Sequence, residues 1–446
     1  MDNDDPAGNE DPARSTPGRS PPTTAASSRS VPVPRVAVEA SGSLWRHAGY
    51  RWFLVMVAAA TLASQIQGAA IAYQLYALTR DPLSLGLVGL AEALPFIGLS
   101  LPAGHFADVH DRKRLGAGAL ALLTAAAAGF WLVSRSRDHL GVGGVRACAY
   151  GLLALTGVCR AFLLPSRNGL TSSIVPRHLL PAAVKARTAL WQVTAVAGPA
   201  VGGALYAAFG PTAAYTVATA LLASALVAWT RIVVPRATPG ATARTSMGAS
   251  LAEGFRFLRG EPVILAAIAL DLFAVLFGGA AALLPVFADE ILRVGPSGFG
   301  LLRAAPGVGA IVTSLVLVAA PPFRRAGRAM LVSVGLFGAF TVAFALSRWF
   351  ALSLLLLGAS GAADMVSVVI RGTLIQVRVP GPMQGRLTAI NQIFIGSSNE
   401  IGAFESGVAA RLLGTVSSVV VGGTITLLVV AVAAWRAPAL RELERL

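Results

Sequence analysis

A chain of 446 residues that is 55% hydrophobic and 13% charged holds roughly half the charge of an ordinary soluble protein, too little polar surface to coat a soluble body of that size. Its net charge of +15 is spread over short loops between apolar blocks. That pattern argues against a nucleic-acid footprint, which gathers into one stripe, and fits the positive-inside distribution of a membrane protein.

Residues 1–48 open on MDNDDPAGNE and stay rich in Pro, Ser, Thr, Asp and Gly. They hold no apolar run of the signal-peptide kind, and their composition predicts a disordered cytoplasmic tail. Twelve apolar blocks follow, near 52–78, 83–105, 115–135, 144–165, 184–208, 211–233, 263–288, 299–320, 329–347, 350–373, 385–412 and 416–435. Each approaches the roughly 20 residues a helix needs to cross a bilayer. With the N-terminus cytoplasmic, one side receives Arg112, Lys113, Arg114, Arg167, Arg177, Lys185, Arg256, Arg259, Arg324, Arg325, Arg328, Arg378 and Arg386. The other side receives Arg80, Arg135, Arg137, Arg293 and Arg348. The imbalance sets the orientation and predicts a multi-pass protein of the bacterial inner membrane with both termini cytoplasmic.

The connection 234–262 parts the blocks six and six. It reads as a cytoplasmic linker closed by a short interfacial helix, with Leu251, Phe255 and Leu258 on one face. The predicted domains are therefore a bundle over 49–233, this linker, a second bundle over 263–437 and a cytoplasmic tail at 438–446.

The two bundles repeat each other. Set without a gap, residues 167–210 lie over 371–414: Arg167 on Arg371, Val175-Pro176 on Val379-Pro380, and Gly198, Gly203 and Gly210 on Gly402, Gly407 and Gly414. Earlier, DPLSLGL (81–87) lies over GPSGFGL (295–301). Internal repeats of this kind mark secondary transporters that bind cargo at the repeat interface.

Between the second and third blocks stands GHFADVHDRKRL (104–115). Gly104, Ala107, Asp108, Arg112 and Lys113 resemble the loop motif of the major facilitator superfamily. Phe106, Val109 and Asp111 depart from it, and PPFRRAGRAM (321–330) is a worn second copy. AGPAVGG (197–203), with Gly198, Pro199, Gly202 and Gly203, is similar to the Gly-Pro-x-x-Gly-Gly element of proton-driven efflux members. Arg160 resembles the superfamily's span-four arginine. RAFLLPSRNGLTSSIVPRHLL (160–180) resembles the branch of siderophore exporters and macrolide pumps. The resemblance covers about residues 45–437 and implies an all-α membrane fold, with twelve transmembrane helices in two pseudo-symmetric six-helix bundles. It also implies a loop that latches the cytoplasmic ends through Gly104, Asp108, Arg112 and Lys113.

Polar residues inside spans cost energy unless paired or wet, so they are the candidate transport residues: Gln65, Gln67, Glu92, Arg160, Asp271, Asp364, Asn399 and Glu400. In the superfamily, spans one, four, seven and ten line the cavity, which assigns it Gln65, Gln67, Arg160, Asp271 and Asp364. The repeat sets Arg160 on Asp364, predicting that the two charges face each other across the halves. Glu92, Asp271 and Asp364 are the proton-coupling candidates. Gln392, Asn399 and Ser406 form a seven-residue stripe that serves packing or gating.

The five histidines make no His-Glu-x-x-His pair, and no Gly-Lys occurs for a phosphate loop. Cys148 and Cys159 lie about 16 Å apart on one predicted helix and cannot bridge. The expectation is a monomeric exporter without metal or cofactor, driven by the proton gradient. Its partners are a small amphipathic molecule and membrane lipid, and nucleic acid is not among them. An uptake symporter or a lipid flippase on the same fold is the alternative.

Overall fold

The computed structural model describes residues 44–233, 247–321 and 323–444. The first half consists of α1 (Ala48–Thr79), α2 (Pro82–Val109), α3 (Arg112–Arg135), α4 (Arg137–Ile174) and α5 (Leu180–Arg231). A connecting helix, α6 (Met247–Gly260), leads to α7 (Pro262–Phe277), α8 (Gly295–Ala319), α9 (Ala326–Leu346), α10 (Phe350–Arg378), α11 (Gly381–Leu413) and α12 (Thr415–Arg436). The seventh crossing continues past α7 through a 3-10 turn at Ala280–Leu283 and a π-turn at Phe287–Ile291.

Ten helical runs among the described residues are long and apolar enough to cross a membrane. One of them, α5, has 52 residues and is broken at Gly210, whose φ of 78° and ψ of 177° lie where essentially only glycine goes. That break makes spans five and six. The 33-residue α11 has crossing length but too many polar side chains, among them Gln392, Asn399, Glu400 and Glu405, for the apolar criterion. Among the described residues this gives twelve helical segments of crossing length, near the positions of the apolar blocks.

The helices alternate in direction, so each end of the bundle collects every second connection. One end, the Arg80 end, is built of tight reversals. Arg80 and Arg293 take φ of 52° and 53°, and Gly141, Gly210, Gly295 and Gly414 take positive φ as well. Gly210 and Gly414, partners in the repeat, share nearly the same backbone shape (78°, 177° against 86°, 152°). At the opposite, Arg112 end, Asp111 caps α3 by accepting from the amides of Lys113 at 2.8 Å and Arg114 at 3.3 Å, as an N-cap carboxylate does.

The kinship of the halves shows most clearly where they touch. A Cβ on Gly203 of α5 would lie 2.5 Å from the Pro296 carbonyl and 2.8 Å from the Gly300 Cα of α8. A Cβ on Gly407 of α11 would lie 3.1 Å from the Pro82 carbonyl and 3.0 Å from the Gly86 Cα of α2. Every partner in the first contact has its repeat equivalent in the second. Inside each half, Gly198 packs on Gln65 of α1, and its equivalent Gly402 on Leu276 of α7. Small residues let helix backbones approach this closely in lipid, where no hydrophobic drive brings helices together.

Apolar packing follows the same plan. Tyr50, Phe53, Phe130, Tyr215 and Trp229 centre the core of the first half, and Ile264, Met330, Ile370 and Leu387 that of the second. A third cluster joins the halves at the Arg80 end, setting Tyr73, Tyr76 and Leu85 against Phe287, Phe299 and Phe344.

Three expected boundaries shift. Residues 1–43 and 234–246 lie outside the described residues, but Leu44 is already buried in the first core, so the bundle begins before 49. The segment expected as a cytoplasmic C-terminal tail packs on the second bundle: Leu440 and Leu443 are buried, and the Ala326 amide donates to the Glu444 carbonyl at 2.9 Å. The connecting helix α6 is docked rather than simply interfacial. Leu258 is buried, Phe255 meets Phe394 edge-on, and Arg386 of α11 pairs with Glu253 at 2.5 Å.

Candidate functional site

Below the cluster that joins the halves, a cavity of about 590 Å³ opens between them, within the range of roughly 300–1,000 Å³ that small-molecule sites occupy. Helical spacing supplies its walls. Thr61, Ser64, Gln65 and Gly68 form a stripe on α1, and Thr156, Arg160 and Arg167 one on α4. Glu92 and Phe96 come from α2, Trp191 from α5, Arg303 from α8, and Gln392 and Glu400 from α11. Leu123, Leu153 and Leu222 complete an apolar body around these polar groups. Such a surface suits an amphipathic molecule. It has carbon faces to cover apolar area and a few polar groups that fix orientation.

Of the expected candidates, Gln65, Gln67, Glu92, Arg160 and Glu400 all line this cavity. Gln67 is 6% exposed, and its Oε1 has no hydrogen-bond partner among the described residues. Arg160 pairs with Glu92 and lies 5.6 Å from the Phe96 ring centroid, so both its partners come from α2 in its own half. The structure therefore does not form the expected pair of Arg160 with Asp364.

Asp364 lies instead near a buried pair in the second half. Arg371 of α10 contacts Asp271 of α7 with side chains only 3% and 8% exposed. Neither Asp271 nor Asp364 is among the cavity-lining residues. Asn399 is exposed and donates to the Ile395 carbonyl of its own helix at 2.8 Å. Its stripe mates diverge: Gln392 faces the cavity, while Ser406 donates to the Gly279 carbonyl of the seventh crossing at 3.2 Å.

At the loop motif, Gly104 is buried in the last turns of α2. Arg112 donates to the Ala107 carbonyl at 3.2 Å and lies against Gly169 of α4. The Lys113 carbonyl accepts from the Trp229 indole at 2.9 Å. These contacts stay within the first half; the Asp108 side chain lies outside the described residues. In the AGPAVGG element, all four named residues are buried. Gly198 and Gly202 seat α5 on α1, and Gly203 seats it on α8.

Arg303 and the cluster at the Arg80 end were not expected from the sequence. Tyr73 and Tyr76 stand on the last turns of α1, and Arg80 caps its end. Tyr73 donates to Asp289 at 2.6 Å, Tyr76 donates to Glu290, and Arg80 pairs with Asp289. Arg411 lies 3.6 Å from Asp81. All four contacts cross between the halves. The Asp289 carboxylate holds the Arg80 guanidinium above its usual range. The Arg80 side chain is 55% exposed, and exposed pairs contribute at most about 1 kcal/mol. In a background without Cys148 and Cys159, Asp289→Asn should therefore raise impermeant-maleimide labelling of a cysteine at Ser84 by up to about fivefold. Unchanged labelling would show that these contacts do not hold the end shut.

Residues 41–446 match the profile of a family described as transmembrane secretion effector. The enterobactin exporter EntS of Escherichia coli is 25% identical over 370 residues, covering 80% of this chain and 84% of that protein. The EntS of Citrobacter koseri is 27% identical over the same span. Among solved structures, the nucleoside transporter NupG shares the fold with a TM-score of 0.68 at 9% identity, over 87% of this chain and 100% of that one. A bacterial homologue of the human lysosomal transporter Spinster, inward-facing and occupied, gives 0.66 at 12% identity, over 89% and 98%.

Proposed function

The chain belongs to the transmembrane secretion effector family of the major facilitators, multi-pass membrane transporters and not enzymes, and from that premise we propose that it exports a small amphipathic molecule by proton antiport. One observation carries the reading. The cavity is walled by both halves and lies on the Arg112 side of the apolar and glycine contacts that seal the Arg80 end. The Arg112 end bears most of the loop arginines, so the positive-inside rule makes it cytoplasmic. In this state the cavity takes cargo from the cytoplasm or the inner leaflet. Parting of the Arg80 end then releases it outside, while protons return inward.

Siderophores and macrolides are the proposed cargo class. The name of the enterobactin relatives supports the first, and the mixed wall of Trp191, Phe96, glutamines and arginines suits either. One copy encloses the whole cavity, so a monomer in the bacterial inner membrane suffices, and the proton gradient takes the place of a cofactor. The loop around Gly104, Asp108, Arg112 and Lys113 is proposed to close the cytoplasmic end in the opposite state.

Inside-out vesicles carrying the protein should accumulate enterobactin or a macrolide, and a protonophore should abolish the gradient. Accumulation only in right-side-out vesicles would make the protein an uptake symporter. Accumulation that survives the protonophore would remove the proton.

A further inference from the structure

The two seams between the halves use equivalent repeat positions and stay apolar until the one nearest the cavity. On one seam, going from the Arg80 end toward the cavity, α5 presents Gly203, Ala200, Pro199 and then Val196 to α8. On the other, α11 presents Gly407, Phe404, Ala403 and then Glu400 to α2. The repeat sets Val196 on Glu400. Val196 packs its methyls on Gly307, an apolar contact of the kind a static seam uses. In its place the second seam has a carboxylate: a Cβ on Gly89 would lie 2.5 Å from Glu400 Oε2. Gly89 is thus a notch into which the acid of the other half fits.

Glu400 also lines the cavity, so it stands at the boundary between the sealed seam and the open space. Three charges face it from the elements around it: Glu92 on α2, Arg160 on α4 and Arg303 on α8. Glu92 already holds Arg160. Among the described residues Glu400 makes no ion pair within 4 Å and no hydrogen bond. Charge without a direct partner inside a membrane is costly, and a carboxyl group escapes that cost by binding a proton.

We infer that Glu400 is the proton-carrying residue and that Gly89 is the positioning residue that seats it. This rests on the proton-antiport reading above. With the cavity open to the cytoplasm, Glu400 gives its proton to cavity water and becomes a carboxylate. When the Arg80 end parts, the seam beside Gly86 and Gly407 opens first to Glu400, which takes a proton from the outer water and becomes neutral again. Each cycle returns one proton inward by this route. Glu92 stays tied to Arg160 throughout and Asp271 to Arg371, and Asp364 lies in the field of that buried pair, off the cavity wall.

The test needs no cargo. pH-difference infrared spectra of the purified protein in lipid should show a protonated-carboxyl stretch that Glu400→Gln removes and Asp364→Asn retains. Gly89→Ala should keep that signal and displace its midpoint, by roughly half a pH unit or more. A signal that survives Glu400→Gln, or one lost in Asp364→Asn, overturns the proposal. In vesicles, Glu400→Gln should lose protonophore-sensitive accumulation of enterobactin. Antiport falls separately, if wild-type accumulation ignores the protonophore while the infrared signal still belongs to Glu400.

Discussion

Gly203→Val is expected to abolish net transport while the protein still folds and elutes as a single species. The new Cβ falls 2.5 Å from the Pro296 carbonyl and 2.8 Å from the Gly300 Cα. These atoms are backbone, so no rotamer change makes room. Overpacking costs about 1–3 kcal/mol where neighbours can give; with backbone as the obstacle the cost lies at the upper end. A cost of about 3 kcal/mol against the sealed state alone shifts the population between states roughly a hundredfold. Each half is untouched internally, so the molecule moves to the state in which the Arg80 end is parted. Labelling of a cysteine at Ser84 by an impermeant maleimide should rise with the loss of transport, in the background without Cys148 and Cys159. Gly407→Val should reproduce the effect through the other seam. Gly118→Val, where a Cβ meets nothing within 4 Å, should transport as the wild type does. Normal transport by Gly203→Val would mean that the contact between α5 and α8 never needs to close.

Arg371→Met should be among the most destabilising single changes in the second half. It removes a guanidinium 3% exposed and leaves Asp271, 8% exposed, without its partner. Breaking a buried pair from one side typically costs about 3–5 kcal/mol. Asp364 sits in the same field, so removing the cation also takes a nearby opposite charge from a second acid. Asp271→Asn leaves an amide oxygen that can still accept from the Arg371 guanidinium and should cost less. The double variant Asp271→Asn with Arg371→Met should recover part of the loss. Thermal melting in detergent gives the order. If Arg371→Met melts with the wild type, the pair contributes nothing to stability.

Much of this was legible in the sequence because depth and duplication leave linear traces. Apolar block length gave the crossings, and the match of Gly203 with Gly407 marked a position that both seams share. What a linear trace lacks is the direction in which a side chain points. Asp271 and Asp364 lie on the crossings the resemblance assigned to the cavity wall, yet neither lines the cavity, and Asp271 turns into its own half toward Arg371. Arg303 was missed for a related reason. The eighth apolar block begins at 299, which puts Arg303 near a helix end, where arginines commonly snorkel to the surface. The helix in fact begins at Gly295, which carries Arg303 two turns in and into the cavity. The contacts of Tyr73 and Tyr76 with Asp289 and Glu290 join residues more than 200 positions apart, and no local pattern announces them.

The reversals at Arg80, Gly141, Gly210, Gly295 and Gly414 shape what the protein offers to that side of the membrane. A connection turned by one or two left-handed residues has no slack for a protease to thread and little surface for an antibody to grip. Reagents meant to trap the transporter will find their handles on the opposite face. The same stiffness means that adjacent crossings cannot slide past one another at this end, so it must gape by tilting whole blocks of helices.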